Sequence, residues 1–253
     1  MAAPSAHTSS ISRIWFRIKE ELDLPFDFFN MHTIEDISIN YDVLGENSRI
    51  ASKTRNDLSR HGITAFNIMG AIGSGKTLLI EKTIERLGSE YRIGAIAGDV
   101  IARIDAARFE KYGIPTIGLN TGKECHLDAH LVEHGLESLP LDSIDLLFIE
   151  NVGNLICPTD YELGEHKRVV IVSVSEGDDI VEKHPLIFSA AALIIVNKID
   201  IAEAVNADAD KMVRDARTIN PRIDVLKMSL KTGEGFSEWI GFVRKSIIEM
   251  KDN

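Results

Sequence analysis

The chain has 253 residues, 44% hydrophobic and 26% charged, with a formal net charge of -11. That is enough apolar material for one sizeable α/β core, and the negative balance repels a phosphate backbone, so no nucleic acid partner is expected. There is no run of eighteen apolar residues and no uninterrupted apolar secretory segment near the start, so no membrane association is expected and the cytoplasm is the expected compartment.

In chain order, residues 1–30 open with small residues and serines and then place Ile11, Ile14, Trp15, Ile18 and Leu22 at helical spacing. They read as an N-terminal extension, with an amphipathic docking helix as the alternative. Residues 31–62 form a polar helical segment with apolar positions at Ile34, Ile37, Leu44, Ile50 and Leu58, stopped by Gly62. From residue 63 to 253 short apolar runs rich in β-branched residues alternate with helical stretches: "ITAFNIMG", "RIGAIAGD", "IPTIGLN", "IDLLFIE", "RVVIVSVS", "ALIIVNK" and "RIDVLKMS". Near-continuous apolar strands between helices predict a mostly parallel sheet covered on both faces, with ligands at the carboxyl ends of its strands. The fold class is therefore α/β, a three-layer P-loop NTPase domain.

The phosphate site carries the strongest motif. Gly70, Ala71, Ile72, Gly73, Ser74, Gly75, Lys76 and Thr77 match G-x-x-x-x-G-K-[ST] between a strand and an amphipathic helix. Backbone N–H groups of such a loop curl around phosphate, Lys76 meets the outer phosphates, and the Thr77 hydroxyl can ligate Mg²⁺. "NKID" follows another apolar run 120 residues after Thr77. Asp200 is the expected guanine reader, because a carboxylate accepts from N1–H and N2–H of guanine and is left unpaired by adenine. Lys198 would lie along the base and Asn197 would tie the loop together. Ser229, Leu230 and Lys231, after the last strand, form the second base-contacting loop. For Mg²⁺ and the attacking water the candidates are Glu150, ending "IDLLFIE", and Asp99 and Asp105, which read equally well as capping or surface carboxylates. Glu150 and Gly153 give E-x-x-G where GTPases usually carry D-x-x-G.

The two cysteines raise a separate question. Cys157 lies four residues after Gly153, on a loop that would answer to the γ-phosphate. Cys125 and His126 follow "IPTIGLN" at the same edge of the predicted sheet. Thiolate and imidazole suit Zn²⁺ and Ni²⁺, three ligands are one short of a tetrahedron, and a two-fold dimer could pool two sets. Buried inert cysteine is the competing reading. His126, His130 and His134 at four-residue intervals predict a stripe on one helix face, solvated or metal-passing.

Taken together, "GAIGSGKTLLIEK", "IAGDVIARIDAARFEKYG", "LNTGKECHLDAHLV", "LLFIENVGNLICP", "EGDD", "EKHP" and "NKIDIA" resemble the hydrogenase nickel-incorporation GTPases of the HypB family in their archaeal-like short form, over roughly residues 31–249. The resemblance implies GTP hydrolysis with Mg²⁺, a GTP-dependent homodimer, and an interfacial Zn²⁺ or Ni²⁺ site on Cys125, His126 and Cys157. It also implies a HypA-type maturation protein and the hydrogenase large-subunit precursor as partners. The related urease nickel GTPases carry C-P-H, which this chain lacks. The C-x-x-C-G-C motif or histidine-rich tract of some HypB members is also missing, since residues 1–60 contain no cysteine and only His7 and His32. High-affinity N-terminal binding and nickel storage are therefore not expected. The rival readings are a P-loop phosphotransferase, a nucleotide-bound module with a purely structural zinc-bridged dimer, and a cobalamin-enzyme chaperone GTPase, which does not call for the three soft ligands.

Overall fold

A computed structural model describes residues 34–251, with side chains from residue 42 onward; the expected extension at 1–30 lies outside the described residues. The chain falls into two compact units, Met1–Val43 and Leu44–Asn253, and the second contains the whole sheet. It begins inside α1 (Ile34–Arg60). This helix stops where Gly62 takes φ +68°, and the Gly62 and Ile63 amides close on the carbonyls of Ser59 and Leu58.

Seven strands follow: β1 (Thr64–Gly70), β2 (Ile93–Asp99), β3 (Thr116–Asn120), β4 (Leu146–Gly153), β5 (Lys167–Ser173), β6 (Leu193–Asn197) and β7 (Asp224–Lys227). The sheet order is β3-β2-β4-β1-β5-β6-β7 and every pairing is parallel. Each of the seven apolar runs of the sequence became one strand.

The period-2 alternation explains the three layers. Phe66, Ile68, Val169, Ile171, Leu193 and Ile195 pack on one face with α2 (Lys76–Leu87), α3 (Arg103–Glu110) and α8 (Phe236–Lys251). Trp239 of α8 anchors that layer, fully buried, edge-on to Phe66 and donating from Nε1 to Thr83 Oγ1 at 2.8 Å. On the other face Val170, Val172, Ile194 and Val196 meet Met212 and Ala216 of α7 (Ala209–Ile219) and the short α5 (Ile180–Lys183) and α6 (Pro185–Ser189). Ala65, Leu147 and Ile149 meet Leu58 of α1 and Val132 and Leu136 of α4 (Ala129–Leu136). None of the described helices is long and apolar enough to cross a membrane.

Central β1 has β4 on one side and β5 on the other, so its carboxyl end opens at a topological switch point. The β1–β4 register slips there: Ile68 is level with Glu150, but Gly70 is level with Gly153. The extra residue makes a bulge in β4, a device that re-aims side chains beside a site.

Candidate functional site

The phosphate loop joins β1 to α2. Gly70 must be glycine because a Cβ would sit 2.2 Å from the Ile171 carbonyl oxygen, and Gly75, at φ +113°, would drive one to 2.5 Å from Asn197 Nδ2. Lys76 is buried and donates to the carbonyls of Gly70 at 3.0 Å and Ala71 at 3.1 Å. Burial pushes its ammonium below the ordinary lysine range, against the pull of Glu150, Asp105, Asp99 and Glu176. Ser74 is buried, while Ile72 stands out 86% exposed at the loop tip.

Thr77 Oγ1 donates to Glu150 Oε1 at 2.7 Å. Glu150 is 4% exposed, its Oε2 has no protein partner, and burial pushes its carboxyl up to about 7. Asp99 ends β2 and accepts from the Val100 amide at 2.6 Å. Asp105, in the first turn of α3, is pushed up by burial and by Asp99, with Arg108 and Lys76 pulling the other way. Oxygen ligands with an unsatisfied buried carboxylate oxygen beside a phosphate loop fit Mg²⁺. Glu150 does not terminate its strand as the sequence reading placed it. The strand runs on to Gly153, and Asn154 bridges back to Gly70.

Asn197, 2% exposed at the end of β6, donates from Nδ2 to the Ser74 carbonyl at 2.8 Å and accepts from the Leu230 amide at 3.2 Å. One amide thus joins the phosphate loop to the Ser229–Leu230–Lys231 loop. Lys198 turns the chain with φ 62° and reaches Ser175 Oγ at 3.3 Å. Asp200 accepts from Ser229 Oγ at 2.7 Å, which fixes the carboxylate's direction. Leu230 is buried and Lys231 exposed. Ser175, which Lys198 reaches, and Glu176, which forms a capping box with Ser173 at the end of β5, lie beside this loop.

The three soft ligands converge. Cys125, His126 and Cys157 place their ligand atoms within 4.8 Å of one another, although two come from the loop after β3 and one from the turn after β4. Cys125 is exposed and Cys157 half-buried, and the neighbouring Cys157 thiol pushes Cys125 up. Two sulfurs and one imidazole nitrogen are a donor set for Zn²⁺ or Ni²⁺, with room for a fourth ligand.

The expected histidine stripe is corrected. Asp128 caps α4 by accepting from the Leu131 amide at 2.7 Å, so the helix starts at Ala129 and His126 lies in the loop before it. His126 instead lies against the Tyr161 ring, tilted by 31° with centroids 3.9 Å apart, while His130 and His134 stack on each other at 5.5 Å. Sequence reading also passed over Tyr161, Asn67, Asn151, Glu165 and Arg168. The available signal was a polar residue inside an apolar run, as Asn67 is in "TAFNIMG".

A glycine-rich turn opening a helix from the central strand, with a buried acid on its threonine and N-K-x-D at the carboxyl end of β6, defines a P-loop nucleotide-binding protein. Residues 64–227 match the family described as CobW/HypB/UreG, nucleotide-binding domain. The chain is 59% identical over 221 residues to the Methanocaldococcus jannaschii protein named "Probable hydrogenase maturation factor HypB", a match spanning 87% of this chain and 100% of that one. The crystal structure of hydrogenase maturation factor HypB from Archaeoglobus fulgidus superposes with a TM-score of 0.76 at 58% identity, over 80% of this chain and 99% of that one. HypB from Helicobacter pylori in complex with nickel superposes with a TM-score of 0.77 at 31% identity, over 81% and 96%. The chain belongs to the HypB hydrogenase maturation factors of the CobW/HypB/UreG family.

Proposed function

We propose that this protein is a GTP-hydrolysing nickel metallochaperone for [NiFe]-hydrogenase, working in the cytoplasm as a GTP-dependent homodimer with a Zn²⁺ or Ni²⁺ site at the interface. The observation that carries the reading is the path of β4, which presents Glu150 to Thr77 Oγ1 at 2.7 Å and, seven residues on, delivers Cys157 to Cys125 and His126. Movement of this strand end with the γ-phosphate would alter the metal ligands' spacing. The solved HypB with nickel supports the choice of metal.

In this reading Lys76 and the loop amides hold the outer phosphates, and Asp200, steered by Ser229, reads guanine while Lys198 flanks it. Thr77 and Glu150, with Asp105 and Asp99 beside them, would hold Mg²⁺, which neutralises developing phosphate charge. The partners are a HypA-type nickel/zinc maturation protein and the hydrogenase large-subunit precursor.

The deciding experiment titrates Ni²⁺ and Zn²⁺ into protein loaded with GDP or with a non-hydrolysable GTP analogue, while light scattering follows mass. Tighter binding together with doubled mass in the analogue state is the expected result. Metal affinity and mass indifferent to nucleotide would make the thiols a structural staple, and phosphate transfer to an acceptor other than water would make the protein a phosphotransferase.

A further inference from the structure

Beneath the thiols runs a chain of buried polar side chains that the nucleotide and metal chemistry does not use. Asn151, next to Glu150 and 1% exposed, accepts from the Leu127 amide at 3.3 Å and the Val152 amide at 2.9 Å. Its Nδ2 donates to Asn67 Oδ1 at 3.3 Å. Asn67, fully buried in β1, donates to Glu165 Oε1 at 3.4 Å. Glu165, 1% exposed, is paired with Arg168 and accepts from the Leu163 amide at 2.8 Å. Arg168 Nη1 then donates to the Thr159 carbonyl at 3.2 Å. One end thus holds the amide adjoining His126, and the other holds the short turn Cys157–Thr159.

An apolar residue at each position would serve the core without the desolvation cost of two amides and an ion pair. A hydrogen-bonded network of this kind rigidifies the core around it and holds the groups at its ends in one geometry. The Cys125–His126 loop has no strand of its own next to the nucleotide: β3 pairs with β2, not with β4. Asn151 supplies the missing link, because its backbone lies in the bulged strand end beside Glu150 while its side chain grips Leu127. On the far side the Tyr161 ring lies against His126, tilted, with centroids 3.9 Å apart, so the 157–161 segment that Arg168 holds supplies both a thiol and a wall for the imidazole.

We infer that Asn151 and the Glu165–Arg168 pair are positioning residues that carry the state of the nucleotide switch to the two loops bearing Cys125, His126 and Cys157. The inference rests on the proposal that metal affinity follows the bound nucleotide.

The test measures Ni²⁺ affinity by competition with a chromophoric chelator, in the GDP and the GTP-analogue states, for the wild type, Asn151→Ala and Arg168→Lys. Arg168→Lys keeps the charge beside Glu165 and withdraws the contact to Thr159, so it carries the test if Asn151→Ala does not fold. The wild-type affinity ratio between the two states is expected in the range of about 5- to 150-fold. In each folded variant it should fall to within about twofold of unity. Metal affinity in the analogue state should drop by about 10- to 100-fold, as for other residues that orient ligands, with GDP affinity and far-UV circular dichroism unchanged. A variant that keeps the wild-type ratio, even with weaker binding in both states, overturns the inference and leaves the proposed function standing. A wild-type ratio of one overturns both.

Discussion

Glu150 carries its raised proton affinity because the fold buries the carboxyl and gives only one oxygen a partner. The sign of the consequence follows from linkage. Its folded value of about 7 stands above the ordinary 4.5, so the folded state increasingly resists the ionisation that the unfolded chain accepts as pH rises. Stability of nucleotide-free protein should therefore fall between about pH 4.5 and 7 and level off above, by on the order of 3 kcal/mol. Glu150→Gln removes this dependence, and urea denaturation at stepped pH should show the variant gaining on the wild type through that window. Asp200 calls for a different measurement. Asp200→Asn should lower GTP affinity by at least about 100-fold and favour xanthosine triphosphate, since an amide cannot accept both guanine N–H groups; unchanged GTP affinity would remove Asp200 from the base site. At the metal, Cys157→Ala should weaken Ni²⁺ binding and leave nucleotide affinity nearly intact, as isothermal titration would report.

Loops and helices fail in distinguishable ways. Asn197→Ala cuts the tie between the Ser74 carbonyl and the Leu230 amide, so nucleotide affinity should drop by about tenfold or more, with a stability loss of about 1–3 kcal/mol. Trp239→Ala should do the reverse. It removes the largest fully buried side chain between α8 and the sheet and should cost about 3–5 kcal/mol in denaturant melts, with nucleotide affinity retained in the folded fraction. The five inner strands were legible in the sequence because both faces of the sheet are buried there, which makes each a near-continuous apolar run, while the edge strands β3 and β7 are only partly buried. The start of α4 was not, since four-residue spacing of histidines cannot reveal that Asp128 caps the helix after His126.

Across the whole molecule, large exposed apolar side chains gather around the mouth of the nucleotide site: Ile72 on the phosphate loop, Val100, Ile101 and Ile104 after β2, and Ile156 beside Cys157. A second copy would cover them in the proposed GTP-bound dimer. Ile104→Glu should accordingly raise the dimer dissociation constant by at least about tenfold in sedimentation runs with the GTP analogue, with GDP binding unaffected. Reciprocity adds a quantitative check on the proposed coupling: Ni²⁺ should tighten binding of the analogue by the same factor by which the analogue tightens Ni²⁺.

The strand–helix alternation, the phosphate loop and the N-K-x-D turn are written in local spacing, and the candidate soft ligands Cys125, His126 and Cys157 in residue chemistry. The approach of Cys125 and Cys157, 32 residues apart in the chain, to within 4.8 Å, the bulge of β4 past Glu150, and the linkage of Asn67, Asn151, Glu165 and Arg168 into one chain exist only in the folded sheet. Those relations depend on which strands lie side by side. The insertion of β4 between β1 and β2 follows from packing the whole sheet, which no local stretch of sequence encodes.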